Sequence, residues 1–199
     1  MQLMARYEDK HFDLAIVDPP YGLGKAVVNS GGRFKRYENK NGNWDNETPT
    51  KEYFNELFRV SKNQIIWGGN YFELPTNKCF IVWDKGQPEG ISFAMAKYAW
   101  ASFDKVAQIF KHRTQGQEQR FHPTQKPVKL YEWLLLNYAK EGNKILDTHG
   151  GSLSIALAVH NVNTQNKMNL TLDVCELDKD YYLAGKERLR KHQQQLTIF

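Results

Sequence analysis

The sequence predicts a single α/β domain over residues 1–199, with a mostly parallel sheet covered by helices on both faces. Two observations carry that prediction. Short apolar runs of strand length alternate with longer amphipathic stretches, and three acidic residues, Asp18, Asp147 and Glu176, stand where apolar runs end. With 199 residues the chain is long enough to bury one sizeable core.

The elements follow in order. Phe12–Val17 reads as a strand that stops at Asp18-Pro19-Pro20-Tyr21. Residues 22–46 are rich in Gly, Asn, Lys and Arg and poor in aliphatic side chains, which predicts a long flexible loop. Thr50 caps a helix through Val60, with Glu52 in its first turn. Gln64–Trp67 is a strand closed by Gly68-Gly69-Asn70, and Cys79–Trp83 and Val106–Phe110 are two more. Lys126–Lys140 reads as a helix with Pro127 in its first turn and Gly142 past its end. Lys144–Leu146 is a short strand ending at Asp147, followed by a Gly/Ser turn and a helix over Leu153–His160. The Asn-rich stretch Asn161–Asn169 predicts a loop, Leu170–Cys175 a strand and Asp178–His192 a helix.

Composition narrows the class. Apolar residues make up 41%, aromatics 13% and charged residues 25%, a mix that excludes disordered, collagenous and coiled-coil chains. No window approaches the ~18 uncharged apolar residues of a membrane span, and residues 1–11 lack the apolar run of a secretory signal. Cys79 and Cys175 make neither a disulfide framework nor a zinc site, so a reducing cytoplasm and no bound metal are expected. The net charge of +5 permits a polyanionic partner without demanding one.

In an open α/β sheet, ligands bind beyond the carboxyl ends of the strands, so the three strand-end acids suggest one shared cleft. Pro19 and Pro20 fix φ, remove two donors and hold Asp18 extended. The segment then offers only acceptors, the Asp18 carboxylate and the Pro19 carbonyl, beside the Tyr21 ring. That suits a planar ligand with an exocyclic amine, such as adenine or cytosine; the alternative is a plain turn after a strand. In Asp147-Thr148-His149-Gly150-Gly151-Ser152, glycines between a strand and a helix let the backbone approach a ligand. Glu176, closing the next strand, is placed as an acid that takes ribose hydroxyls.

Three features together resemble the permuted, β-type S-adenosylmethionine-dependent amino-methyltransferases of DNA: Asp18–Tyr21, His122-Pro123-Thr124-Gln125-Lys126-Pro127, and the glycine turn with Glu176. Trp67-Gly68-Gly69-Asn70-Tyr71-Phe72 adds to the resemblance, which covers nearly the whole chain. It implies a Rossmann-like methyltransferase fold of the seven-strand type, circularly permuted so that the catalytic motif precedes the cofactor turn, and a bacterial or phage source. Because Asp opens the tetrapeptide, it implies methyl transfer to adenine N6 in DNA, by base flipping and direct transfer. The implied catalytic residues are Asp18, Pro19, Pro20 and Tyr21. For S-adenosyl-L-methionine, it places Asp147, Gly150, Gly151 and Ser152 near the methionine part, Glu176 on the ribose, and Thr124 and Lys126 near the carboxylate; Phe72 and Tyr181 are either walls of the adenosine pocket or core residues.

Implied partners are duplex DNA and a second copy of the chain, with Arg33, Lys35 and Arg36 of the 22–46 loop expected on DNA. The tail Gln195-Leu196-Thr197-Ile198-Phe199 resembles a sliding-clamp docking peptide; an edge strand or a frayed end are its other readings. Two departures stand out. Leu153 replaces the second glycine of the family's turn and is expected to crowd the cofactor unless the backbone shifts. Members also commonly carry a further strand ahead of the catalytic motif, where this chain has 17 residues before Asp18. The rival readings are a cytosine-N4 or RNA methyltransferase, and a catalytically silent binding protein.

Overall fold

The computed structural model describes residues 2–24, 45–88, 90, 94–113, 121–122 and 124–195. Arg33, Lys35 and Arg36, and the C-terminal peptide beyond Gln195, lie outside the described residues. The strands are β1 (Phe12–Val17), β2 (Ser61–Trp67), β3 (Phe80–Asp84), β4 (Ala96–Ala101), β5 (Gln108–Lys111), β6 (Lys144–Asp147) and β7 (Thr171–Val174). The helices are α1 (Lys51–Val60), α2 (Val128–Tyr138), α3 (Ser154–Asn166) and α4 (Lys179–Gln195).

Among the described residues, all seven strands form one sheet in the order β5-β3-β4-β2-β1-β6-β7. The pairs β1–β2, β1–β6, β3–β5 and β6–β7 are parallel, and only β4 runs against its neighbours β2 and β3. Successive side chains of a strand face opposite sides, and β1 shows the consequence. Leu14 and Ile16 join the core beneath α2 and α3, whereas Ala15 and Val17 join a second core beneath α1 and the 3-10 turn Met4–Arg6. Helix α1 buries Tyr53, Phe54, Leu57 and Val60, one stripe of a 3.6-residue period. Chain direction leaves β1 toward β2 on one side while β6 and β7 extend the sheet on the other. The switch point therefore lies between the ends of β1 and β6, where Asp18 and Asp147 stand.

Three local expectations give way. Strand β4 was not expected, because Ala-Lys-Tyr-Ala-Trp-Ala has weak strand propensity. It forms because β2 and β3 both present unpaired edges, which its six residues satisfy. Helix α3 continues through Asn166, so Asn161–Asn166 is not loop and His160 lies inside the helix. Tertiary hydrogen bonds decide this: Asn161 Nδ2 donates to Glu132 Oε1 at 2.6 Å, and Asn163 exchanges bonds with the backbone of Leu170 at 2.8 and 2.9 Å. Finally, Pro127 is the extended residue before α2 rather than part of its first turn.

Candidate active site

Asp18 leaves β1 at the switch point with its side chain only 15% exposed. Among the described residues, Tyr21 and Lys126 bond its carboxylate. The Tyr21 hydroxyl donates to Oδ1 at 2.5 Å, and the Lys126 ammonium forms an ion pair with Oδ2. Burial pushes the Asp18 carboxyl up, but the Lys126 charge, its hydrogen bond and that from Tyr21 outweigh burial and hold it below the usual carboxylate range. Lys126 is itself 4% exposed, and its ammonium lies 5.2 Å from the centre of the Trp67 ring. Burial lowers its pKa, opposed by Asp18. The structure thus places Lys126 against the strand-end acid of β1.

Tyr21 is held from several sides. Its amide donates to Asp45 Oδ1 at 2.6 Å, and the Gly22 amide donates to the same oxygen at 3.2 Å. Asp45 is buried, which raises its pKa against the lowering effect of these amides. The Tyr21 ring stacks on Tyr71, with centroids 4.9 Å apart and planes 12° off parallel, and Lys97 Nζ lies 4.8 Å from its centre. Gly68 leaves the space: with φ at +71° and the ring of Tyr21 against it, any Cβ there would collide. Phe72 packs beside Tyr21 at 6.1 Å and Phe54 at 5.1 Å, so it borders the tyrosine as much as it fills the second core.

On the other side of the switch point, β6 ends in Asp147, whose side chain is buried. Oδ1 accepts the His149 amide at 2.9 Å, while Oδ2 is buried with no hydrogen-bond partner among the described residues. Burial, with Asp18 and Glu176 adding repulsion, pushes its carboxyl up to about 7. Glu176, just past β7, accepts the Gly151 amide on Oε2 at 2.6 Å and the Asp178 amide on Oε1 at 2.8 Å. Burial raises its pKa too. Gly150 is closed in by Val174 and Leu153, and its amide donates to the Cys175 carbonyl at 2.8 Å. Ser152 is buried, with its hydroxyl 3.0 Å from that of Ser154.

Leu153 takes the left-handed conformation, φ 54° and ψ 28°, as the residue preceding α3. Its side chain lodges between Gly150 and Gly185 of α4, where a Cβ on Gly185 would lie 2.7 Å from Leu153 Cγ. The backbone therefore does what a glycine would do, and α4 receives the bulk.

The hexapeptide closes over the glycine turn. The His122 ring lies 3.5 Å from where a Cβ of Gly151 would be, packs edge-on to Tyr181 at 4.4 Å and faces Thr124 Oγ1 at 3.3 Å. Burial drives His122 and His149 down to about 4, so both are neutral at pH 7. His149 sits among hydroxyls, with Thr148 Oγ1 at 3.0 Å.

The structure thus brings Asp18, Tyr21, Lys126, Thr124, Asp147, Gly151 and Glu176 to one edge of the sheet. Asp45 and Lys97 also belong to this edge, and neither stood out in the sequence. Asp45 ends a loop of many polar residues, and Lys97 sits in the unexpected strand β4; an unpaired charge inside an apolar run was its one signal. Among the described residues no group of three or more His, Cys, Asp or Glu side chains is arranged to hold a metal ion. None of the described helices is long and apolar enough to cross a membrane.

Comparison with known proteins supplies a family. The family described as DNA methylase, of the N6/N4 type, matches residues 66–187, more than half of the chain. The type II methyltransferase M.HpaI of Haemophilus parainfluenzae is 22% identical over 234 residues, spanning 95% of this chain and 71% of that protein. Among solved structures, a complex of M1.HpyAVI with S-adenosylmethionine superposes with a TM-score of 0.59 at 19% identity, covering 94% of this chain and 91% of that one. The PvuII DNA methyltransferase, named as cytosine-N4-specific, gives 0.58 at 11% identity over 97% and 88%. At these identities the two structures show a shared fold.

Proposed function

The chain belongs to the N6/N4 DNA methylase family, and from that premise we propose that it transfers a methyl group from S-adenosyl-L-methionine to the N6 amine of adenine in duplex DNA. The observation that carries this reading is Asp18 at the switch point, a buried carboxylate kept ionised beside a proline carbonyl and a tyrosine ring.

The turn after β6 suits the methyl donor. Asp147 Oδ2 is a buried acceptor awaiting a donor, which fits the cationic amino-acid end of S-adenosylmethionine. Glu176 uses one lone pair of each oxygen on a backbone amide, leaving acceptors for ribose hydroxyls. When bound, the cofactor supplies an electrophilic methyl group on a sulfonium. Asp147, Gly150, Gly151, Ser152 and Glu176 would hold it, with Thr124 beside them and Lys126 between them and Asp18.

The chain's own groups then act on the base. Tyr21, stacked on Tyr71, offers an aromatic platform to a base turned out of the duplex. Each Asp18 oxygen keeps a second lone pair despite Tyr21 and Lys126. One N–H of the exocyclic amine donates to Asp18 and the other to the Pro19 carbonyl. Those bonds favour a pyramidal nitrogen whose lone pair is directed away from the ring. As the new N–C bond forms and the methyl–sulfur bond breaks, its electron pair staying on sulfur as a neutral thioether, Asp18 would take up the surplus proton, and its low proton affinity passes it to water. No side-chain nucleophile is required, and Cys79 and Cys175 have no part. That Asp opens the tetrapeptide favours adenine over cytosine.

The test is transfer of labelled methyl to unmethylated genomic DNA and, in parallel, to total RNA, with Asp18→Ala alongside. Label is expected as N6-methyladenine and is expected to fall by at least about 100-fold in the variant, the scale of losing one preorganised transition-state contact. Label in N4-methylcytosine would transfer the reading to the rival base, and label in RNA alone would reject DNA.

A further inference from the structure

After Asp18 the chain offers no backbone donor until Tyr21, because Pro19 and Pro20 lack amide hydrogens. The amides that follow converge on one side chain. Tyr21 and Gly22 donate to the same oxygen of Asp45, Oδ1, at 2.6 and 3.2 Å, and the Leu23 amide also lowers the proton affinity of that carboxyl. Gly22, at φ +73°, and Gly24, at φ +54°, take the left-handed conformation that turns neighbouring amides toward a common point. The Asp45 carbonyl in turn accepts the Gly24 amide at 2.8 Å, so one residue grips the segment with side chain and main chain together.

Asp45 is 3% exposed, and among the described residues no cation pairs with it. A turn of this kind needs only water or a carbonyl to satisfy its amides. Burying a carboxylate without a counter-ion is costly. That cost shows in a carboxyl which burial and repulsion from Asp18 raise above its ordinary value in spite of the amides. What the buried acid supplies is position. Tyr21 is held at both ends, its amide by Asp45 and its hydroxyl by Asp18, to which it donates at 2.5 Å. Bonds from N–H groups to a carboxylate are shorter and stronger than those to a neutral acceptor. Because the Pro20 ring fixes φ, an anchored Tyr21 amide also limits where the Pro19 carbonyl points.

We infer that Asp45 is a positioning residue for methyl transfer: it holds the Pro20–Tyr21 peptide so that the Tyr21 ring, the Pro19 carbonyl and Asp18 keep the arrangement that receives the exocyclic amine. This role rests on the methyltransferase reading and deepens it, adding a residue 24 positions beyond Tyr21 that acts through that tyrosine. A shift of about 1 Å in a reacting geometry costs on the order of 100-fold in rate.

The experiment compares wild type, Asp45→Ala, Asp45→Glu and Asp45→Asn in transfer of labelled methyl to unmethylated genomic DNA. It takes kcat and the half-saturating DNA concentration separately, and measures S-adenosylmethionine affinity by calorimetry. Asp45→Ala is expected to lower kcat by about 10–100-fold, with cofactor affinity and half-saturating DNA as in wild type. Asp45→Glu keeps the charge but moves the oxygen by one methylene, and the same loss is expected. Asp45→Asn keeps an oxygen able to accept both amides and is expected to restore most of kcat. If Asp45→Ala does not fold, the Glu and Asn variants decide the matter by the same contrast. Wild-type kcat in the Ala and Glu variants overturns the inference, as does a loss in Asn equal to theirs. A parallel fall in S-adenosylmethionine affinity also overturns it, since general damage would then explain the loss. If wild type binds S-adenosylmethionine but methylates no DNA, it is the methyltransferase reading that fails, and the role of Asp45 with it.

Discussion

Asp18 and Lys126 are a buried ion pair, and its energetics differ from those of a surface bridge. Removing one partner strands the other charge, which costs about 3–5 kcal/mol, whereas removing both costs far less. Lys126→Met is therefore expected to lower the unfolding free energy by that amount, and Lys126→Met/Asp18→Asn to recover most of it, as read by urea denaturation. Equal losses in single and double variants would mean that the pair is not coupled. Asp147 makes an opposite prediction. Its folded pKa of about 7 lies above the ordinary value of 3.8, because burial disfavours its charge. Its contribution to stability is complete below the ordinary value and is lost as pH rises through about 7. The cofactor-free protein should lose stability between pH 4 and 8, and Asp147→Asn should flatten that part of the profile. A cation placed at Oδ2 would favour the ionised form, so S-adenosylmethionine affinity in wild type is expected to rise over the same window. A pH-independent affinity by calorimetry would reject that account.

At the scale of elements, the junction between β6 and α3 shows how a departure from a motif is absorbed. A left-handed non-glycine residue costs about 1–2 kcal/mol, and Leu153 bears that cost while burying its side chain against Gly185 of α4. The compensation for a leucine in the turn is thus a glycine 32 residues later, on a different helix. Gly185→Ala would bring a methyl to 2.7 Å from Leu153 Cγ. It is expected to lower stability by about 1–3 kcal/mol and to weaken S-adenosylmethionine binding, because the displaced Leu153 pushes on Gly150. Adding Leu153→Gly should restore the binding; failure to do so would show that α4 does not brace the turn. Strand β4 teaches a related lesson. Its alanines say little about strand formation, and it exists because two neighbouring strands need partners. Local propensity carried β1, α1 and β6 to within a residue or so, where patterning and burial agree.

Across the whole molecule, what was legible was whatever the chain writes locally. Alternating apolar runs, proline rigidity and glycine turns were enough for the α/β class, the parallel sheet and the strand-end positions of Asp18, Asp147 and Glu176. Those properties follow from backbone sterics and hydrophobic periodicity, which depend on near neighbours in the chain. The partner of Asp18 was not legible, since Lys126 lies 108 residues away and only the packing of α2 against the sheet delivers its ammonium there. Nor were the anchoring of Tyr21 by Asp45, the approach of Lys97 or the accommodation of Leu153. Each is a meeting of residues distant in sequence, and which charges meet, how dry they become and which remains unpaired are settled only when the strands take their order in space.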